Sequence, residues 1–362
     1  MRRKIDIDKD LLTNLINEVN SMVTEEIKIM EVCGTHTQMI AKLGLRTLLS
    51  SKIKLLSGPG CPVCVTEERY IDWAIEILNR YNVTVVTFGD LMKVRGRKGS
   101  LLEEKGKGKD VRIIYSPLDI IDIAEKYRGK QIVFLGVGFE TTAPIIALAT
   151  KTAAERGIDN LYFLTSLKLM APILHYILKE SNNQIHGFIC PGHVATIKGS
   201  DYFKFINRKY HVPAAVCGFE AVDIVAGIYY LVKQITQGKE DAFQNLYKRC
   251  VSPQGNTTAN LLIDEVFNIL DGEWRGIGNI ENSSLQIKEK YARFDARKVF
   301  VLENQQVKVS MGCDCKDILL GKKTPRECKL FKKGCNPMSP QGPCMVSTEG
   351  ACSIDYRYGE EV

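Results

Sequence analysis

The sequence predicts an α/β protein. Two similar domains, each a parallel sheet flanked by helices, face a cleft, and a mainly helical C-terminal domain follows. Three observations carry this prediction. Short apolar, β-rich runs alternate with helical patterns from about residue 28 to about residue 235, as parallel sheets with right-handed crossovers require. The runs fall into two sets of four, and the last unit of each set reads alike: YSPLDIIDIAE at Tyr115–Glu125 and CGFEAVDIVAG at Cys217–Gly227. Beyond residue 236 the alternation stops, 238–310 reads mainly helical and polar, and Gly, Pro and Cys become frequent after Gly312. The expected domains are therefore 18–127, 128–235 and 236–362, with 1–17 packed against the last.

The strands of the first set are Ile27–Val32, Ile53–Ser57, Val83–Phe88 and Arg112–Tyr115; those of the second are Gln131–Gly136, Leu161–Thr165, Gly187–Cys190 and Ala214–Cys217. Each is rich in β-branched or large apolar residues and is bounded by turn formers. Helical spacing marks Thr66–Asn79, Leu118–Tyr127, Ala143–Glu155, Met170–Lys179 and Ala221–Gln234. Gly96–Lys109 reads as a mobile basic surface loop.

Composition narrows the function classes. Lys and Arg number 49 against 42 Asp and Glu, a formal charge of +7 without a concentrated basic stripe, so a nucleic-acid partner is not expected. No apolar run approaches the length of a membrane span, and the N-terminus lacks the apolar core of a secretory signal. The expected location is cytoplasmic. There, 12 cysteines point to metal, cluster or redox chemistry rather than to a disulfide framework.

The unusual residues follow the strands. CGTHTQ, SGPGCPVC and FGD close strands of the first set; GVGFETT, CPGHVATIKG and CGFE close strands of the second. In parallel sheets such loops gather outside the carboxyl ends, where open α/β folds bind ligands. Cys33 and His36 offer a thiol with a base or second ligand beside it. Cys61 and Cys64 form a C-x-x-C entering a helix, where the dipole favours thiolate. Glu140 and His193 are polar candidates for the same cleft. GVGFETT lacks the third glycine and the acidic partner of a dinucleotide site, and neither a P-loop nor G-x-S-x-G occurs. The six C-terminal cysteines run C-x-C-x12-C-x6-C-x8-C-x7-C from Cys313 to Cys352. Four thiols suffice for an iron–sulfur cluster or zinc, which leaves two for a redox pair.

CGTHTQ, SGPGCPVC, GFETTAP, CPGHVATIKG and CGFE, followed by C-x-C, PRECKLF, C-x-P and QGPCMVSTEGAC, occur in one order along essentially the whole chain. In this the sequence resembles the HypD family of nickel–iron hydrogenase maturation proteins. The resemblance implies two similar α/β domains and a third, iron–sulfur domain. It implies a scaffold on which the Fe(CN)2CO moiety of the hydrogenase is assembled: iron is shared with the chaperone HypC, and cyanide arrives from HypE. Carried over by position, Cys33 holds the iron that bears cyanide and carbon monoxide, with His36 beside it, and Cys61 and Cys64 are the cleft dithiol. Cys313, Cys328, Cys335 and Cys352 bind a 4Fe–4S cluster, and Cys315 and Cys344 are left as the redox pair. Glu140 and His193 match polar cleft positions. The chain is expected to be monomeric apart from these complexes, and a scaffold rather than a free-standing turnover enzyme. An independent iron–sulfur dithiol oxidoreductase is the rival reading; a zinc-bearing nucleic-acid module ranks last.

Overall fold

A computed structural model of the protein describes residues 9–180, 185–238, 242–303 and 312–359. Eleven strands form two large sheets. They are β1 (Ile27–Glu31), β2 (Ile53–Ser57), β3 (Val83–Thr87), β4 (Val111–Ile113), β5 (Gln131–Gly138), β6 (Leu161–Lys168), β7 (Gly187–Pro191), β8 (Ala214–Cys217), β9 (Phe243–Asn245), β10 (Phe267–Trp274) and β11 (Gly278–Ile287). The first sheet, ordered β9-β8-β7-β1-β2, is parallel throughout. The second, ordered β10-β11-β6-β5-β3-β4, is parallel from β6 to β4 and antiparallel through β10 and β11. The mixed α/β architecture with parallel sheets is as the strand–helix alternation predicts.

The allocation of strands corrects the expected grouping. The first sheet takes the first two expected strands and the last two, while the four between them build the second sheet. The sheets therefore do not divide at 127/128. The chain leaves the first sheet after Ser57, runs through the C-x-x-C segment, and enters the helix Arg69–Arg80, which packs on β3. The C-x-x-C thus lies on the crossover from one sheet to the other. The short Tyr115–Glu125 and Cys217–Gly227 likeness falls on strands of different sheets and carries no pairing information.

Burial follows the two-residue period of strands. Ile27 and Ile29 enter an outer core with Ile40, Leu55 and Ile224, whereas Met30 and Val32 enter a larger inner core. Likewise Phe134 faces an outer cluster of the second sheet, and Val133 and Leu135 face inward. The inner core is shared by both sheets and the C-terminal segment, and eight cysteines lie in it: Cys61, Cys64, Cys190, Cys315, Cys328, Cys335, Cys344 and Cys352. β3, VTVVT, is buried at every position, as an interior parallel strand requires.

Three further expectations change. The described residues of 238–310 are not mainly helical: β10 and β11 form a hairpin that adds to the second sheet. The described part of the N-terminal segment belongs to the helix Lys9–Met22, which packs on the helix Ala221–Gln237 through Leu12, Leu15 and Ile16 rather than on the C-terminal segment. Gly96–Lys109 is structured: Arg95–Gly96 pairs with Gly99–Ser100, and Ser100 and Glu103 cap the helix Leu101–Gly106 reciprocally. No described helix is long and apolar enough to cross a membrane.

Candidate functional site

Register brings four of the motif loops of the first sheet to one edge. Glu31 pairs with Ser57 and with Ile189, and Cys217 pairs with Pro191. The residues that follow these strands therefore start at one level: Cys33, Gly58–Cys61, Gly192–His193 and Gly218–Phe219. Gly60 packs directly on the backbone of Cys33; a methyl there would overlap Cys33 N and Cα. The Gly34 N–H donates to Gly60 O at 3.3 Å, and the Gly58 N–H to Glu31 O at 2.7 Å. Glycine at 58 and 60 is what lets the C-x-x-C loop lie against Cys33.

Cys33 is the N-cap of the helix Gly34–Lys42. Its N–H donates to Glu31 Oε2 at 3.0 Å, and Thr37 Oγ1 donates to Glu31 Oε1. Burial pushes the Cys33 thiol up to about 12, with Glu31 and Glu349 adding to the shift and N–H groups of the following helix opposing it. Burial also raises the Glu31 carboxyl. A thiol in this setting ionises only when a cation or metal compensates it.

His36 is buried, and its Nε2 lies 2.9 Å from Gly218 O. A carbonyl only accepts, so Nε2 carries the proton and Nδ1 keeps a bare lone pair, which has no partner among the described residues. Burial lowers this imidazole to about 4. The Phe219 ring stacks between His36 and His193, with centroids 4.7 and 3.9 Å away. Three loops from β1, β7 and β8 are thereby locked together.

Cys61 and Cys64 form a disulfide with Cα atoms 5.3 Å apart. Cys61 caps the short helix Pro62–Val65, its Sγ accepting the Cys64 N–H at 3.2 Å. On this helix packs Pro343–Val346, which carries Cys344. Cys344 Sγ lies 2.8 Å from Cys315 Sγ. The Cys344 S–H hydrogen bond, assisted by the Arg275 guanidinium, holds Cys315 below the usual thiol range, and Cys344 is driven well above it. Arg275 is fixed in turn by its own N–H on Val65 O and by Glu68 at 3.7 Å.

The other four C-terminal thiols are free; Cys328, Cys335 and Cys352 are buried and Cys313 is half-buried. Burial raises Cys313 to about 12 and lifts Cys352 further, each aggravated by the charges of the other members. The donor set suits a resident cationic group: four thiols, none in a disulfide, two of which, Cys313 and Cys352, feel the charges of the others. Among the described residues no three or more His, Cys, Asp or Glu side chains are gathered as a single-ion site.

Glu140 stands apart from the thiols at the end of β5. It is fully buried, and its Oε1 accepts from the Met170 N–H and Tyr202 OH at 2.7 Å each, while Oε2 has no partner among the described residues. Burial raises its carboxyl. The hydrogen bonds of the Glu140 carboxylate among the described residues do not join it to Cys33 or to the C-x-x-C.

Three residues at this edge escape a reading of motifs. Glu31 is an isolated acid ending an apolar strand, Phe219 sits inside CGFE as an ordinary apolar residue, and Glu349 packs on Gly34 from far along the chain. Only Glu31 leaves a trace in the sequence, as a carboxylate placed two residues before Cys33.

The profile of the HypD family, described as a hydrogenase formation hypA family, matches residues 9–359. The chain is 41% identical over 336 residues to the hydrogenase maturation factor HypD of Escherichia coli, covering 92% of this chain and 90% of that one. It is 40% identical over 338 residues to the HypD of Rhizobium leguminosarum bv. viciae (91% and 88% covered) and 38% over 343 to that of Azotobacter vinelandii (93% and 90%). A family profile spanning nearly the whole chain and relatives at this identity agree with the loops gathered around Cys33: the chain belongs to the HypD family.

Proposed function

We propose that this chain serves in hydrogenase maturation as a scaffold and redox protein, on which the Fe(CN)2CO moiety is assembled with a HypC-type chaperone and a HypE-type cyanide donor. The observation that carries the reading is the packing of Gly60 on Cys33. It sets a metal-capable thiol and a C-x-x-C disulfide at one sheet edge, with a second sulfur pair on the helix next door.

Cys33 is the residue to hold the iron cargo. Its helix-capping N–H neighbours orient the sulfur, and a thiolate is a soft donor suited to such an iron. His36, three residues on, is neutral with Nδ1 bare among the described residues, so it offers a lone pair that can accept a proton or a hydrogen bond at this edge. The Cys315/Cys344 dithiol passes two electrons and two protons to the Cys61–Cys64 disulfide by thiol–disulfide exchange. Cys315 is the better nucleophile of the pair, because Cys344 and Arg275 favour its thiolate. Cys313, Cys328, Cys335 and Cys352 would hold a 4Fe–4S cluster, which when bound would supply electrons one at a time to reduce the Cys315–Cys344 disulfide that the exchange leaves.

Iron and acid-labile sulfide analysis of anaerobically purified protein tests the cluster. About four of each per chain are expected, with loss on Cys328→Ala or Cys352→Ala and retention on Cys33→Ala. Zinc without sulfide overturns it. The two dithiol pairs also suit a free-standing disulfide reductase. Steady turnover of disulfide substrates without any partner would favour that reading over the scaffold.

A further inference from the structure

A cavity of about 430 Å³ has no cysteine in its lining. Its floor is Lys168, at the end of β6 and only 2% exposed, with Glu67 and Arg297. Glu67 Oε2 accepts from Lys168 Nζ at 2.9 Å and from Ser166 at 2.7 Å, and Oε1 accepts from Arg297 at 2.9 Å. One carboxylate thus serves two cations, and the floor keeps a surplus of one positive charge. Among the described residues the Lys168 ammonium makes this single hydrogen bond, which leaves two of its three N–H groups for the cavity. Buried cations are costly unless compensated.

The mouth has the opposite character. Arg69 is taken by Glu273. Asp271, whose Oδ1 accepts the Asn282 N–H at 2.9 Å, forms no ion pair among the described residues. Trp73 makes one wall, with the Arg297 guanidinium 4.9 Å and that of Arg69 5.5 Å from its ring centroid. A plain anion would meet Asp271 at the mouth, and a plain cation would meet the surplus charge of the floor.

We infer that this cavity binds a small zwitterion of amino-acid type, its carboxylate on Lys168 and Arg297 and its ammonium toward Asp271. The volume falls in the range of small-molecule sites, and the aromatic wall with a few convergent polar groups is their usual lining. The inference does not depend on the maturation role, since none of these residues belongs to the thiol site.

Trp73 lines this cavity with 8% of its surface exposed, whereas Trp274, the chain's other tryptophan, is fully buried, so Trp73 is the reporter. The experiment follows iodide quenching of tryptophan fluorescence in the full chain while L-alanine, acetate or ethylamine is titrated. L-Alanine is expected to protect Trp73 saturably, acetate more weakly, and ethylamine not at all. Lys168→Gln and Arg297→Gln should each weaken the alanine effect by roughly tenfold or more, as loss of a charge-assisted hydrogen bond predicts. Asp271→Asn, at the solvent-facing mouth, keeps the fold and should erase the preference for alanine over acetate. Alanine that leaves quenching unchanged in the wild type overturns the site. So does protection that survives in Arg297→Gln, or a preference that survives in Asp271→Asn.

Discussion

Glu67 sits three residues beyond Cys64 and is fully enclosed. Burial alone would raise its carboxyl, but Lys168, Arg297 and the Ser166 hydroxyl overcome that and hold it down to about 2. The folded value lies below the unfolded 4.5, so its contribution is complete above about pH 4.5 and is lost as pH falls toward about 2. Comparing denaturant unfolding of the wild type and Glu67→Gln across this window should show the wild type losing stability more steeply toward acid. At neutral pH the variant should be less stable by roughly 3 kcal/mol, the cost of breaking a buried ion pair. Parallel pH profiles would contradict this. At the same scale, much of the thiol site was legible: Cys33, His36, Cys61, Cys64 and His193 lie in short glycine-bearing strings after strands, and the structure brings these loops to one edge. Phe219 and Glu349 are not legible, because their importance comes from what packs on them, and Glu31 shows only as a carboxylate two residues before Cys33.

Among the elements, strands with buried faces were readable and exposed ones were not. Val83–Thr87 and Ala214–Cys217 announce themselves through β-branched or small apolar residues, and the helix Ala143–Glu155 has the expected ends, with Pro144 in its first turn. The sequence of the hairpin β10–β11 reads as part of a helical stretch. β10, FNILDGEW, is an edge strand exposed at four consecutive positions, so the two-residue period on which strand recognition rests never develops. The largest side chain anchoring the hairpin is Trp274; Phe267, Ile280, Leu285 and Ile287 are buried too. Trp274 is fully buried, its Nε1 donates to Ser283 Oγ at 2.8 Å, and its ring meets Phe139 next to Glu140. Trp274→Ala should cost about 3–5 kcal/mol of unfolding free energy. It should also raise hydrogen exchange selectively across β10 and β11. A loss below about 1 kcal/mol, less than a single well-buried side chain is worth, would show that the hairpin is held elsewhere.

For the molecule as a whole, the sequence order of strand–helix units does not say which sheet receives each strand, and so the observed division between two sheets differs from the expected one. The assembly depends on contacts between distant segments: the helix Ala351–Tyr358 packs on Gly34–Lys42, and Glu349 fills the space beside Gly34. A methyl at Gly34 would overlap the Glu349 backbone and Cβ. Gly34→Ala should therefore loosen residues 347–358, read as faster hydrogen exchange there, whereas Gly106→Ala, where the added methyl meets open space, should not. Equal protection in both variants would mean that the C-terminal segment is held independently of the Cys33 loop. The central claim is that Cys33 holds the iron cargo at this junction. Infrared spectroscopy of the chain after anaerobic co-expression with HypC-type and HypE-type partners tests it most directly. Cyanide and carbonyl stretches in the wild type that vanish in Cys33→Ala, while the cluster iron and sulfide remain, are the predicted result. Bands that persist in Cys33→Ala, or that never form with both partners present, would contradict it.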